Sequence, residues 1–416
     1  MSGLPAHLRD AAWLVNGPVA QILDLLDRDG EEARVVGGAV RNALIGQPVH
    51  EIDIATTAQP DEVLRRAQNA GLRAVPTGID HGTITLLSGD TPFEVTTLRE
   101  DVETYGRKAK VAFGRDWRRD AERRDFTMNA LSVSRDGVVH DYVGGLADLD
   151  ARHVRFIGDA TQRIAEDYLR ILRFFRFHAA YGEGEPDPAA LHACIARREG
   201  LGALSRERVR TELMKLLVAR GAAAAIQAMA ESGLLVTILG GVPYLVSFTR
   251  MIAIEAAAGA APDAVRRLGA LAVFVGEDAD RLFERLRLSN AEFDRLRSMA
   301  DGWRRVSAGL SAPDARALLY RLGPTAFSDR LLLAWSRSQD AADDSRWRTF
   351  LELPARWQVP SCPIGAADLM ERGIPKGPAL GAALREAEAA WIAADFPSDA
   401  AVIAAIADRA TANRTS

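Results

Sequence analysis

Hydrophobic and polar positions change their rhythm once along this chain. Up to about residue 155, apolar and β-branched residues come in short runs that often alternate with polar ones: "RVVGG", "IDIATT", "HGTITLLS", "PFEVTTL", "ALSVS" and "HVRFIG". Alternation with period two predicts half-buried strands. Between them, "QPDEVLRRAQNAG" has proline near its first turn, acids early and glycine at its end, which predicts a helix. After Gly158 the strand signal fades. Ala, Leu, Arg and Glu dominate, with Gly/Pro punctuation near 182–188, 240–243, 259–262, 308–313, 359–365 and 373–378. The pattern predicts an α+β protein with a small mixed-sheet head and an all-helical remainder. Within that remainder, "TQRIAEDYLRILRFFRFHAAYG" reads as one helix with Ile164, Leu169, Leu172 and Phe175 on its apolar side.

The chain has 416 residues, 48% of them hydrophobic, which is enough for more than one core. Two cysteines, Cys194 and Cys362, supply neither a disulfide framework nor a cysteine-rich metal site. No stretch stays apolar for the ~18 residues a membrane span needs, and the N-terminus lacks a basic region followed by an apolar one. A cytoplasmic protein is expected. Net charge is −4, so any nucleic-acid contact has to come from local patches. Residues 99–124 carry nine Arg/Lys against six Asp/Glu, and "RREGLGALSRERVRTELMK" is a second basic stretch.

Chemistry concentrates in "VVGGAVRNALIGQPVHEIDIATT", residues 35–57. The adjacent Gly37 and Gly38 do not fit the G-x-G-x-x-G spacing of a dinucleotide turn, which excludes a Rossmann oxidoreductase. They do fit a turn that lets backbone approach a phosphate, with Arg41 one turn into the following helix. Glu51 and Asp53, two apart on a strand, point to one face and repel unless a cation lies between them. Such a pair suits Mg²⁺, which favours carboxylates plus substrate phosphates. Glu94 in "FEVTT" is a third strand-borne acid. His81 reads as a turn or strand-start residue rather than a base. Histidines 140, 153, 178 and 192 lack metal-ligand spacing, and the tryptophans at 303, 335, 347, 357 and 391 read as packing residues.

Five stretches in order carry a resemblance: "GGAVR" with "EID" at 51–53, "RRDFTMNAL" at 123–131, "EDYLRILRFFRF" at 166–177, "LSRERVRTEL" at 204–213 and "DLMERGIPKGPALGAAL" near the end. Together they resemble the class II tRNA nucleotidyltransferase/poly(A) polymerase family of the DNA polymerase β-like superfamily. The resemblance implies a catalytic head at 1–155, a helical neck at 156–215 with a base-selecting helix, a helical body at 216–310 and a tRNA-binding tail at 311–416. It implies that Glu51 and Asp53 hold Mg²⁺ and that Gly37, Gly38 and Arg41 meet the nucleotide's phosphates. Arg124, Asp125 and Asn129 would grip triphosphate and ribose, and Asp167, Arg170, Arg173 and Arg176 would meet base and phosphates. Asp167 and Arg170 are three apart, hence neighbours on one helical face. The partners implied are CTP, ATP and the tRNA 3′ end, with no obligate protein partner.

The chain departs from the family pattern twice. Glu51 stands where the family usually has Asp, lengthening that ligand by about 1.5 Å, and Asn42 stands where an acid usually follows the arginine. The segment 99–120 reads as a mobile loop around Gly106, of a kind that relatives adding only CC lack. CCA addition is therefore the expected activity. The alternatives are a poly(A) polymerase, a CC-adding enzyme and a catalytically decayed tRNA-binding protein.

Overall fold

The computed structural model describes residues 4–5, 7–79, 82–105 and 108–412; His81 and Gly106 lie outside the described residues. Two compact units divide the chain, Met1–Ile238 and Leu239–Ser416. Unit one holds a seven-stranded sheet in the order β3-β4-β5-β2-β1-β8-β9. Its strands are β1 (Ala33–Val36), β2 (Asp53–Thr56), β3 (Arg73–Gly78), β4 (Thr83–Ser88), β5 (Thr91–Thr97), β8 (Ser132–Ser134) and β9 (Val139–His140). Only β2 and β5 run parallel, Asp53 standing opposite Glu94 in register. The remaining neighbours are antiparallel, so the expected mixed sheet is present.

Strand alternation explains both what is buried and what is offered. Ile54, Val95 and Ile84 point into the core, almost without exposure, whereas Asp53 and Glu94 stand on the open face. Phe126, Phe156, Phe174 and Phe177 pack together beneath, with Phe126 and Phe156 centroids 4.7 Å apart. "HVRFIG" forms no strand; Phe156 makes an isolated bridge to Phe126. The segment read as a loop over 99–120 is instead a two-stranded hairpin, β6 (Arg99–Tyr105) and β7 (Lys108–Phe113), followed by a helix Trp117–Glu122 that Asp116 caps.

The long neck helix is two helices, Ala160–Glu166 and Leu169–Tyr181. Asp167 takes an extended conformation (φ −154°, ψ 107°) between them. Its side chain accepts a hydrogen bond from the Leu169 N–H at 3.1 Å, offering the backbone an alternative to continued helix. The predicted apolar positions Ile164, Leu169, Leu172 and Phe175 are all buried.

Every regular element described in unit two is a helix or a short 3₁₀ turn. Ser247 on Leu245–Ala258 meets Ser336 on Ala312–Arg337 through their hydroxyls, 2.9 Å apart. The second of these helices is broken where Gly323 adopts φ 72° before Pro324. Trp335 and Trp347 stack at 5.9 Å, and Trp391 anchors a separate core with Leu369, Ala383 and Ala407. These three tryptophans are buried, as packing residues should be.

Candidate active site

A cavity in unit one collects the chemistry, lined by five segments of the chain. The turn after β1 contributes Gly37, Gly38 and Arg41; the start of β2 contributes Glu51 and Asp53. The segment after the hairpin contributes Arg123, Arg124, Asp125 and Asn129. The neck contributes Asp167, Arg170, Arg173, Arg176 and Phe177, and the helix Arg206–Leu217 contributes Arg208 and Lys215. Residues expected from sequence at both the glycine turn and the neck therefore share one space of about 590 Å³.

Gly37 has φ 72° and ψ −125°, a conformation that favours glycine, and precedes the helix Gly38–Leu44. This turn places Arg41 at the cavity, where its guanidinium is buried and held by neutral acceptors. Nη1 donates to Asn129 Oδ1 at 2.5 Å, Nη2 to Tyr181 Oη at 2.7 Å and Nη2 again to Asn42 Oδ1 at 2.9 Å. No carboxylate ion-pairs with it among the described residues. Burial lowers its basicity, Tyr181 opposes that, neighbouring Arg176 lowers it further, and the charge of Asp125, near but not paired with it, opposes the fall.

Across the cavity Asp53 opens β2, with Glu51 just outside the strand and Glu94 opposite Asp53 in register. None of the three carboxylates accepts a hydrogen bond or an ion pair among the described residues. The Asp53 carboxyl is pushed above the usual aspartate range, first by desolvation, then by the charge of Glu94; Arg124 opposes and Glu51 adds to the shift. Asp53 is nonetheless open to solvent. Desolvation here reflects the neighbouring protein mass rather than occlusion. Among the described residues, no three acidic, histidine or cysteine side chains converge into a complete metal cage. The donor set is hard, all-oxygen and incomplete, which fits a cation that takes its remaining ligands from a substrate's phosphates.

The arginines are aimed by three acids, of which sequence reasoning singled out Asp125 but not Asp120 or Glu212. Asp120, buried on the helix Trp117–Glu122, holds Arg123 at 2.6 Å and Arg124 at 3.0 Å. Burial pushes its carboxyl up, but these two guanidinium groups bring it below the ordinary range. Asp125 Oδ2 takes Arg173 Nε at 2.7 Å and Nη2 at 2.6 Å, while its Oδ1 accepts from Asn129 and the Phe126 N–H. Glu212 pairs with Arg176 and lies 3.8 Å from Arg173.

Asp167 and Arg170 both reach the cavity, as expected, but they do not pair with each other. Asp167 Oδ2 takes Arg208 Nη2 at 2.6 Å, and Arg170 pairs with Glu166. The helix break at Asp167 is the reason: it turns the carboxylate away from the helical face that spacing assigned to it. Arg170 uses Nη1 on Glu166 and on the Arg163 carbonyl, leaving Nε and Nη2 without a partner among the described residues.

Residues 33–155 match the model of the poly A polymerase head domain, and residues 185–247 match that of a probable RNA and SrmB-binding site of polymerase A. The chain is 35% identical over 380 residues to the mitochondrial CCA tRNA nucleotidyltransferase 1 of Danio rerio, covering 89% of this chain and 85% of the relative. It belongs to the class II CCA-adding enzyme/poly(A) polymerase family. The CCA-adding enzyme of Levilactobacillus brevis is 31% identical over 398 residues, covering 93% of this chain and 96% of that protein. The crystal structure of the Bacillus stearothermophilus CCA-adding enzyme in complex with CTP superposes with a TM-score of 0.73 at 26% identity, covering 95% of this chain and 97% of that one.

In this member of the family, the residues missed by sequence reading are mostly holders of the ones it found. Arg208 and Glu212 lie within "LSRERVRTEL", so the motif itself was visible but not the partners of its side chains. Asp120 carried a local signal, three and four residues before Arg123 and Arg124. Tyr181 carried none, since its contact to Arg41 spans 140 residues.

Proposed function

We propose that the chain is a CCA tRNA nucleotidyltransferase. It adds CMP, CMP and AMP to the tRNA 3′ end without a nucleic-acid template and releases pyrophosphate. The observation that carries this reading is the cavity itself. Unpaired carboxylates on one side face Arg41, Arg124, Arg173, Arg176 and Lys215, with Asp167 and Arg170 in the same space.

In this reading Glu51 and Asp53 hold Mg²⁺, with Glu94 beside Asp53. The metal, when bound, supplies Lewis-acid activation of the RNA 3′-hydroxyl and stabilises the charge on the departing pyrophosphate. The chain's own residues do the holding. Arg41, Arg124, Arg173 and Arg176, with the Gly37–Gly38 turn, grip the triphosphate so that the hydroxyl meets the α-phosphorus in line. A new P–O bond to the RNA forms there as the bond to pyrophosphate breaks and the hydroxyl's proton passes to solvent. Asp125 acts by fixing Arg173 and Asn129 towards phosphate and ribose.

Base choice follows from donor and acceptor patterns. A guanidinium donates and a carboxylate accepts only. Cytosine and adenine each present a ring-nitrogen acceptor beside an amino donor, matching Arg170 with Asp167. Uracil and guanine place a carbonyl against the carboxylate, and such a mismatch costs about 1–3 kcal/mol. Asp167 has lone pairs beyond those used by Arg208 and the Leu169 N–H, and Arg170 has its free Nε and Nη2. Replacing Asp167 by Ala is therefore expected to cut discrimination of CTP over UTP by roughly ten- to a hundredfold. Misincorporation assays with single nucleotides measure it, and unchanged selectivity would overturn the assignment.

The body and tail bind tRNA by shape and backbone contact in this proposal. A cytoplasmic location also belongs to it. Among the described residues no helix is long and apolar enough to cross a membrane.

A further inference from the structure

Arg41, Arg173 and Arg176 repel one another in the space assigned above to the triphosphate. Arg173 and Arg176 have acid partners, but Arg41 has only neutral ones among the described residues. What the three share is an aromatic surface on the helix Leu169–Tyr181. Phe177 has the guanidinium carbon of Arg176 4.1 Å from its ring centroid, and those of Arg41 and Arg173 at 5.3 Å each. Tyr181, one turn on, has Arg41 at 3.9 Å and accepts from its Nη2 at 2.7 Å. The two rings stack on each other, 5.7 Å apart and tilted by 28°.

We infer that Phe177 and Tyr181 are positioning residues, an aromatic shelf that orients Arg41, Arg173 and Arg176 for the phosphates of the incoming nucleotide; the identity of that ligand rests on the function proposed above. A buried cation can be held in two ways. A carboxylate against Arg41 would hold it firmly but would cancel its charge and repel a triphosphate. The negative face of an aromatic ring offsets desolvation without a formal charge. Asn42, standing where the family resemblance leads one to expect an acid, fits the same arrangement. Its Oδ1 accepts from Arg41 Nε at 3.2 Å and Nη2 at 2.9 Å and leaves the positive charge whole. Phe177 is 5% exposed and lines the cavity, so the shelf is both packed and adjacent to the ligand. The shelf also ties the phosphate grip to the helix that carries Arg170.

The test uses the full chain with Tyr181→Leu, Tyr181→Phe and Phe177→Leu. Binding of CTP and of inorganic pyrophosphate is measured by calorimetry without tRNA, alongside kcat and KM for CTP and ATP with tRNA. Tyr181→Leu is expected to weaken both CTP and pyrophosphate binding about tenfold and to raise KM for CTP and ATP by the same factor, with kcat changing far less. Tyr181→Phe keeps the ring and recovers part of the loss; Phe177→Leu behaves like Tyr181→Leu. Unchanged pyrophosphate binding in Tyr181→Leu overturns the inference, as does a loss confined to kcat or to one nucleotide. The Tyr181 pair decides the matter even where Phe177→Leu lowers the melting temperature. Wild-type protein that binds pyrophosphate but transfers nothing to tRNA would defeat the proposed function, while the binding comparison would still judge the shelf.

Discussion

Asp125→Asn keeps the shape of the side chain and removes the charge that joins the head's "RRDFTMNAL" segment to the neck helix. In the native protein, Asp125 Oδ2 receives two bonds from one guanidinium, Arg173 Nε at 2.7 Å and Nη2 at 2.6 Å. Its side chain is 11% exposed and that of Arg173 is 32% exposed. A hydrogen bond to a charged group contributes about 1.5–3 kcal/mol. The partial exposure of Arg173 screens the pair, so the lower figure, about 1.5 kcal/mol, is the expected coupling. A double-mutant cycle with Asp125→Asn, Arg173→Met and both together isolates it. The transition to follow by scanning calorimetry is the one that CTP raises, since a ligand stabilises the unit it binds. For a unit of this size each kcal/mol moves the midpoint by about 2–4 °C, so the pair accounts for roughly 3–6 °C. A coupling below about 0.5 kcal/mol would refute the view that this ion pair clamps head to neck.

Acid should loosen the same unit. Asp120 and Asp125 are both held below the ordinary aspartate value, burial pushing each up but Arg124 and Arg123, or Arg173, pulling harder. A depressed folded-state pKa adds stability above the unfolded value near 3.8 and loses it as pH falls towards the lower folded value. Wild type should therefore lose stability more steeply than Asp120→Asn below about pH 4, and parallel pH profiles of denaturation would contradict this. Glu51→Asp shortens the ligand and should retain transfer, whereas Glu51→Gln should lower it by about 100-fold in single-turnover assays. Equal activity of wild type and Glu51→Gln would remove Glu51 from the site.

The legible part of this protein was its local physics. Alternation located β1, β2, β4, β5 and β8, and the i,i+2 rule set Asp53 on the face opposite Ile54. β3 escaped because "RAVPTG" mixes proline and glycine into a strand with no buried residue. β6 and β7 escaped because a charge-rich stretch around Gly106 reads as a loop until its two arms pair. The neck was misread for a longer-range reason. "IAEDYLRIL" keeps a helical period without glycine or proline, and the break at Asp167 is accompanied by its bond to Arg208, 41 residues on. The same limit applies across the site. Sequence reading named the acids of the cavity and most of its cations, though not Arg123, Arg208 or Lys215; of the side chains that aim them, Asp120 sits close in sequence, but Glu212, Arg208 and Tyr181 come into place only through the fold.

The central claim is addition of CCA to tRNA, and single-nucleotide extension tests it most directly. Three tRNA transcripts, ending before CCA, at C and at CC, are incubated with Mg²⁺ and CTP, ATP, both or neither. The account predicts two C additions, then one A, and no further extension. A long A ladder on any 3′ end would indicate a poly(A) polymerase, and a stop after CC would indicate a partial enzyme. Bound tRNA with no extension would contradict the proposal outright.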